Sequence, residues 1–119
     1  MAYVEIEFFY RDGGNYKWWY PRTFEASDEI TQEKAEKMLR DALDGWEFID
    51  RDALGLDIEL PYETGEIECD ENLDDTTLEI LYVKVKESYE PESDAFLMPV
   101  SFESFVEKIR EWRHGKAAA

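Results

Sequence analysis

The chain has 119 residues, enough for one domain with a single core. It carries 30 acidic residues against 13 basic ones, a net charge of −17, with 15% aromatic and 44% hydrophobic residues. So many aromatics exclude a disordered acidic chain, and the charge disfavours direct contact with nucleic acid or an anionic membrane while favouring basic protein surfaces. The single cysteine, Cys69, excludes an intramolecular disulfide and fits a reducing compartment. No signal pattern and no apolar run approaching the ~20 residues of a membrane span is present, so the expected location is cytoplasmic. The closing Lys116-Ala117-Ala118-Ala119 reads as a vector-derived tail, and residues 1–115 are taken as one domain.

Residues 2–10 alternate with period two, Val4, Ile6, Phe8 and Tyr10 on one face and Tyr3, Glu5, Glu7 and Phe9 on the other, which predicts a half-buried strand. Asp12-Gly13-Gly14-Asn15 supplies the positive-φ positions of a tight hairpin turn. It lacks the Gly-Lys-Ser/Thr ending of a phosphate-binding loop and the spacing of a dinucleotide fingerprint. A second strand follows, with Tyr16, Trp18 and Tyr20 alternating with Lys17 and Trp19, and Pro21 marks a sheet edge or the strand's end.

Residues 25–31 read as a polar connection, with Thr31 as N-cap of a helix whose inner face is Ala35, Met38, Leu39, Ala42 and Leu43. Ile30 is placed to staple onto its first turn, and Gly45 to end it. Trp46-Glu47-Phe48-Ile49 predicts a strand fragment, and 50–56 a helical turn closed by Gly55. Residues 57–75 look irregular, with at most a short strand at 66–69. A connection so long is uncommon in a compact domain unless it carries function or pairs with a sheet edge.

Residues 76–87 predict a central strand, Leu78, Ile80 and Tyr82 on one side and Leu81, Val83 and Val85 on the other. A loop at 88–100, punctuated by Pro91 and Pro99, leads to Ser101. This serine caps a final helix whose buried stripe is Phe102, Phe105, Val106, Ile109 and Trp112. The expected class is α+β, a small antiparallel sheet with an N-terminal β-hairpin and two helices packed on it.

Catalytic constellations are hard to find. Asp70, Asn72 and Asp74 have the spacing that opens a calcium loop, but Asp75 replaces the required glycine and Leu81 the bidentate glutamate. One Cys and one His cannot make a zinc site. His114 falls at a helix end, and Cys69 lies among Glu66, Glu68, Asp70 and Glu71, which discourage the thiolate. No cofactor is expected, and the chain reads as a non-enzyme.

The acidic tract is the distinctive feature. Between Arg51 and Lys84 there is no Lys or Arg. Asp57, Glu59, Glu63, Glu66, Glu68, Asp70, Glu71, Asp74 and Asp75, interleaved with Tyr62, are the candidate partner-binding residues. They make either a solvated face or a docking surface for a basic, nucleic-acid-binding partner.

FFYRDGGNYK at 8–17, a short helix, then Trp46-Glu47-Phe48-Ile49 and Leu54-Gly55-Leu56 together resemble a group of small uncharacterised bacterial and mobile-element proteins with a DGGNYK hairpin. The resemblance spans the first half of the chain and implies a bacterial or phage setting, without an activity. The expected function is a non-enzymatic acidic interaction domain, in its sharpest form a phage or mobile-element anti-defence inhibitor that mimics nucleic acid. The alternatives are an immunity or antitoxin protein that blocks a basic toxin, a carboxylate- or metal-dependent hydrolase, and a small-ligand binder using Trp18, Trp19 and Trp46.

Overall fold

The structure, a computed structural model, describes residues 2–11, 17–45, 48–65 and 76–115. Four antiparallel strands form one open sheet in the order β2-β1-β4-β3, with β1 at Ala2–Arg11, β2 at Lys17–Ala26, β3 at Phe48–Asp50 and β4 at Thr77–Lys86. Two longer helices, α1 (Gln32–Leu43) and α4 (Phe102–Arg110), and two single-turn helices, α2 (Arg51–Leu54) and α3 (Pro61–Thr64), complete the α+β architecture. The last helix continues into a π-helical turn at Glu111–Gly115. Among the described residues no helix is long and apolar enough to cross a membrane.

The alternation in β1 sorts its side chains as expected. Val4, Ile6, Phe8 and Tyr10 are fully buried on the helix-covered face. Phe105 of α4 stands edge-on to Phe8 at 6.0 Å and stacks on Phe24 of β2 at 4.7 Å. Leu39, Ala42 and Leu43 of α1 and Val106 and Ile109 of α4 fill the same core. Both helices begin where their hydroxyl caps stand: Thr31 Oγ1 accepts from the Lys34 N–H at 3.2 Å and Ser101 Oγ from the Ser104 N–H at 3.1 Å. Helix α1 ends in two successive left-handed residues, Asp44 and Gly45, so the reversal begins one residue before the glycine.

The strands depart from expectation in two places. Of the two readings of Pro21, an edge or the strand's end, the edge holds: β2 runs five residues further, to Ala26, and so takes in the first residues of the expected connection. Proline is tolerated there because β2 is an edge strand, so the nitrogen that lacks a proton displaces no ladder bond. Thr23, two residues on, turns its backbone to that edge and pairs with the loop before α4, accepting from the Met98 N–H at 2.7 Å and donating to the Phe96 carbonyl at 2.8 Å.

β4 carries the second departure. Its register against β1 slips between Glu7 and Phe8, which pair with Tyr82 and Ile80, so Leu81 is an extra, bulged residue. The expected division of faces fails there. Leu78, Ile80, Val83 and Val85 share the core side, while Glu79, Tyr82, Lys84 and Lys86 share the other with β1 residues of the same parity. An unbroken alternation would have put apolar groups on both faces; the bulge reunites them on one.

β3 covers only the first three residues of β4, and among the described residues no strand pairs with that edge beyond them. The side-chain amide of Gln32 occupies that edge, donating to the Val83 carbonyl at 2.6 Å and accepting from the Val85 N–H at 2.9 Å. Exposed edges invite pairing with other chains, and this amide satisfies the two backbone groups as a neighbouring strand would.

Two outcomes are expected. Phe105→Ala should cost about 3–5 kcal/mol, the range for a large aromatic removed from a packed core, read from urea unfolding. Gln32→Ala should cost only about 1 kcal/mol but selectively accelerate amide hydrogen exchange at Val85.

Candidate interaction surface

The acidic segment begins directly after β3. Asp50 accepts from the Asp52 N–H and from the Thr76 hydroxyl at 2.5 Å, which joins α2 to the chain entering β4. Helix α2 closes at Gly55, whose φ of +64° is the left-handed conformation expected of a terminating glycine. Residues 56–60 are more ordered than the sequence suggests. Leu56, Ile58 and Leu60 are buried and alternate with the exposed Asp57 and Glu59, an extended run whose apolar half joins the main core. Pro61 then starts α3, where a fixed φ and a missing donor cost nothing.

Arg51, the last cation before the Lys- and Arg-free tract, organises this region. Its guanidinium is largely buried and binds the Glu63 carboxylate, the Asp52 carboxylate at 2.9 Å and the Ile58 carbonyl at 2.9 Å. Glu63 Oε1 also accepts from the Leu60 N–H at 2.8 Å, so one carboxylate caps α3 and neutralises Arg51. The hydrogen bond from Arg51 holds Glu63 below the ordinary glutamate range. Nearby, Arg22 lies against the Phe96 ring and approaches the Asp57 carbonyl at 3.5 Å; burial pulls its pKa down, and the Asp57 charge opposes that pull.

The expected partner-binding residues therefore separate. Asp57 and Glu59 are solvent-facing. Glu63 is committed to Arg51. Tyr62 is half-buried, packed against the core with its ring facing Tyr10 at 6.2 Å. Glu66, Glu68, Asp70, Glu71, Asp74 and Asp75 lie outside the described residues, as do Cys69, the calcium-like spacing, the Asp12-Gly13-Gly14-Asn15 turn and Trp46. Among the described residues no group of three or more metal-ligating side chains comes together. Trp18 packs against the core beside Tyr10, whereas Trp19 points away on the opposite face.

That opposite face of the sheet is only partly legible in the sequence, through Phe9 and Trp19 on the second side of the hairpin. Phe9 pairs in register with Trp19 on one side and Glu79 on the other, and Glu79 in turn with Phe48. The four side chains thus form one row across all four strands, Trp19–Phe9–Glu79–Phe48. The next row holds Pro21, Glu7 and Tyr82, with Leu81 added by the bulge. Trp19 is 52% exposed, Phe48 45%, Leu81 44% and Tyr82 40%. Phe9 is nearly covered, lying under Trp19 at 5.6 Å and under the Arg11 guanidinium at 5.6 Å.

The far end of this face is closed by the chain leading out of β4. Tyr89 packs on Tyr3 at 5.6 Å, and the Lys86 ammonium binds both Glu5 and Asp94 at 2.9 Å. Burial would raise the Glu5 carboxyl, but hydrogen bonds from the Tyr82 hydroxyl and from Lys86 outweigh it and hold it below its usual value. Asp94, then Glu5, push Lys86 above the ordinary lysine value.

No family model, curated protein or solved structure matches this chain.

The Arg51–Glu63 pair yields a pH prediction. Glu63 has a depressed pKa in the folded state, so its contribution is complete above the ordinary glutamate value of about 4.3 and is lost as the pH falls towards the lower folded value. Arg51→Met should cost about 2 kcal/mol at neutral pH. Urea titrations at descending pH should show this difference between wild type and variant shrinking through the carboxylate range.

Proposed function

We propose that this chain is a non-enzymatic acidic interaction domain that binds the basic, nucleic-acid-binding surface of a partner protein. The observation that carries this reading is the charge of −17 on a folded domain, four of whose cations are paired with carboxylates of the same chain. Arg51 is held by Asp52 and Glu63, Lys86 by Glu5 and Asp94, Lys37 by Asp41 and Arg110 by Glu107. A carboxylate excess of this size would steer basic partners and repel nucleic acid itself. In its sharpest form the domain is a phage or mobile-element inhibitor that occupies a nucleic-acid-binding groove of a host defence complex. The resemblance of the DGGNYK hairpin to bacterial and mobile-element proteins agrees with such a setting. Carboxylates carried on a folded domain would stand in for phosphates, which duplex DNA presents at about one per 1.7 Å of axis.

The test is an affinity capture from a bacterial lysate, eluted along a salt gradient. Basic nucleic-acid-binding proteins should be retained, released by rising salt and displaced by added DNA. Reversing charge at Glu66, Glu68, Asp70 and Glu71 to Lys should weaken that capture roughly tenfold or more. Retention of neutral or acidic partners regardless of salt, or indifference to both DNA and the charge reversal, would overturn the reading.

A further inference from the structure

We infer that the open face of the sheet, centred on Glu79 between Phe9 and Phe48, is a recognition surface for arginine side chains of the basic partner. This deepens the reading above and rests on it. The sheet register makes the site: Glu79 has Phe9 and Phe48 as its in-register neighbours on β1 and β3, and Trp19 follows Phe9 on β2. At about 4.8 Å between strands the row spans roughly 14 Å. Glu7 and Tyr82, themselves an in-register pair, place a second carboxylate and a second ring alongside.

Charge and shape together select the occupant. Aromatic faces attract cations, and a carboxylate beside them supplies the counter-charge. Guanidinium suits this combination better than ammonium, because it is planar, stacks on rings, is weakly hydrated and pairs with a carboxylate through two parallel hydrogen bonds. The face already demonstrates that chemistry within the chain: the Arg11 guanidinium lies over the Phe9 ring at 5.6 Å. A second copy of this chain is disfavoured, since two molecules of charge −17 would bring Glu7 and Glu79 against their own counterparts. An anionic membrane or free nucleic acid is repelled in the same way.

On this face the exposed apolar residues stop where this function would stop; Phe96, 59% exposed, lies instead at the outer edge of β2 beside Arg22 and Thr23. Towards the other end of the sheet the face is closed by Tyr89 on Tyr3 and by the Lys86–Glu5–Asp94 cluster. Trp19, Phe48 and Tyr82 remain 40% or more exposed. A solvated sheet face has no need of three large rings around two carboxylates.

The experiment titrates the whole protein with a short arginine-glycine peptide, its lysine-for-arginine counterpart and its glutamine-for-arginine counterpart, at low and high salt, with backbone amide and indole NMR shifts as the readout. The arginine peptide should bind most tightly, shifting Trp19, Phe48, Glu79 and Tyr82. Phe48→Ala and Glu79→Gln should each weaken it roughly fivefold while leaving the thermal melt nearly unchanged. Trp19→Ala uncovers Phe9 and can destabilise the hairpin, so Phe48→Ala is the deciding variant and Trp19→Phe the expected rescue. Equal affinity for the arginine and lysine peptides, or binding that shifts other residues and ignores both Phe48→Ala and Glu79→Gln, would overturn this surface while leaving a basic partner in place. Silence from both basic peptides at low salt would remove this surface and the basic-partner reading together.

Discussion

Everything in this fold depends on the burial of one face of β1. Val4, Ile6, Phe8 and Tyr10 are the middle of the core, and β1 is paired along most of both its edges, to β2 and to β4. Shifting β1 by one residue would turn Glu5 and Glu7 against α4 and bring Val4, Ile6 and Phe8 to solvent. The register of β1 therefore fixes which face receives the helices and which carries the row of aromatics and carboxylates. Helices on one side and open chemistry on the other are two results of a single alternation.

Much of this was legible because it is written in short-range patterns. The period-two run of β1, the helical spacing of α1 and α4, and the hydroxyl caps at Thr31 and Ser101 each state a local preference that agrees with the tertiary fold. What escaped was non-local. The bulge at Leu81 reassigns three side chains of β4, and nothing within residues 76–87 announces it, because a bulge is defined by the partner strand. The Gln32 amide on the edge of β4 joins residues 51 and 53 positions apart. An exposed glutamine at a helix start looks like any other surface residue. Pro21 leaves two readings open in the sequence, a sheet edge or the strand's end, because its cost depends on whether the strand is an edge strand, which only the assembled sheet reveals.

The same division applies to the surface. Counting charges identified the cation-free tract but not how its first members are used. Arg51 lies just outside that tract, and by binding Glu63 it draws one carboxylate inward, while Tyr62 turns to Tyr10. The aromatic row had a readable component in Phe9 and Trp19, which break the polar side of an alternating hairpin. Its completion by Glu79 and Phe48 required the pairing of β1 with β4 and of β4 with β3. A composition can show that a surface is acidic; only register can show that a carboxylate stands between two rings.

The strand order has a consequence for how the chain is made. The central strand is the first to leave the ribosome, yet its second neighbour comes much later, as the 77-residue separation of the Glu5–Tyr82 contact shows. During synthesis the β1–β2 hairpin must wait with Phe8, Tyr10 and Phe24 uncovered, since α4 arrives later still. Premature association of such nascent hairpins is opposed by the glutamates interleaved along β1 and by Pro21 on the outer strand.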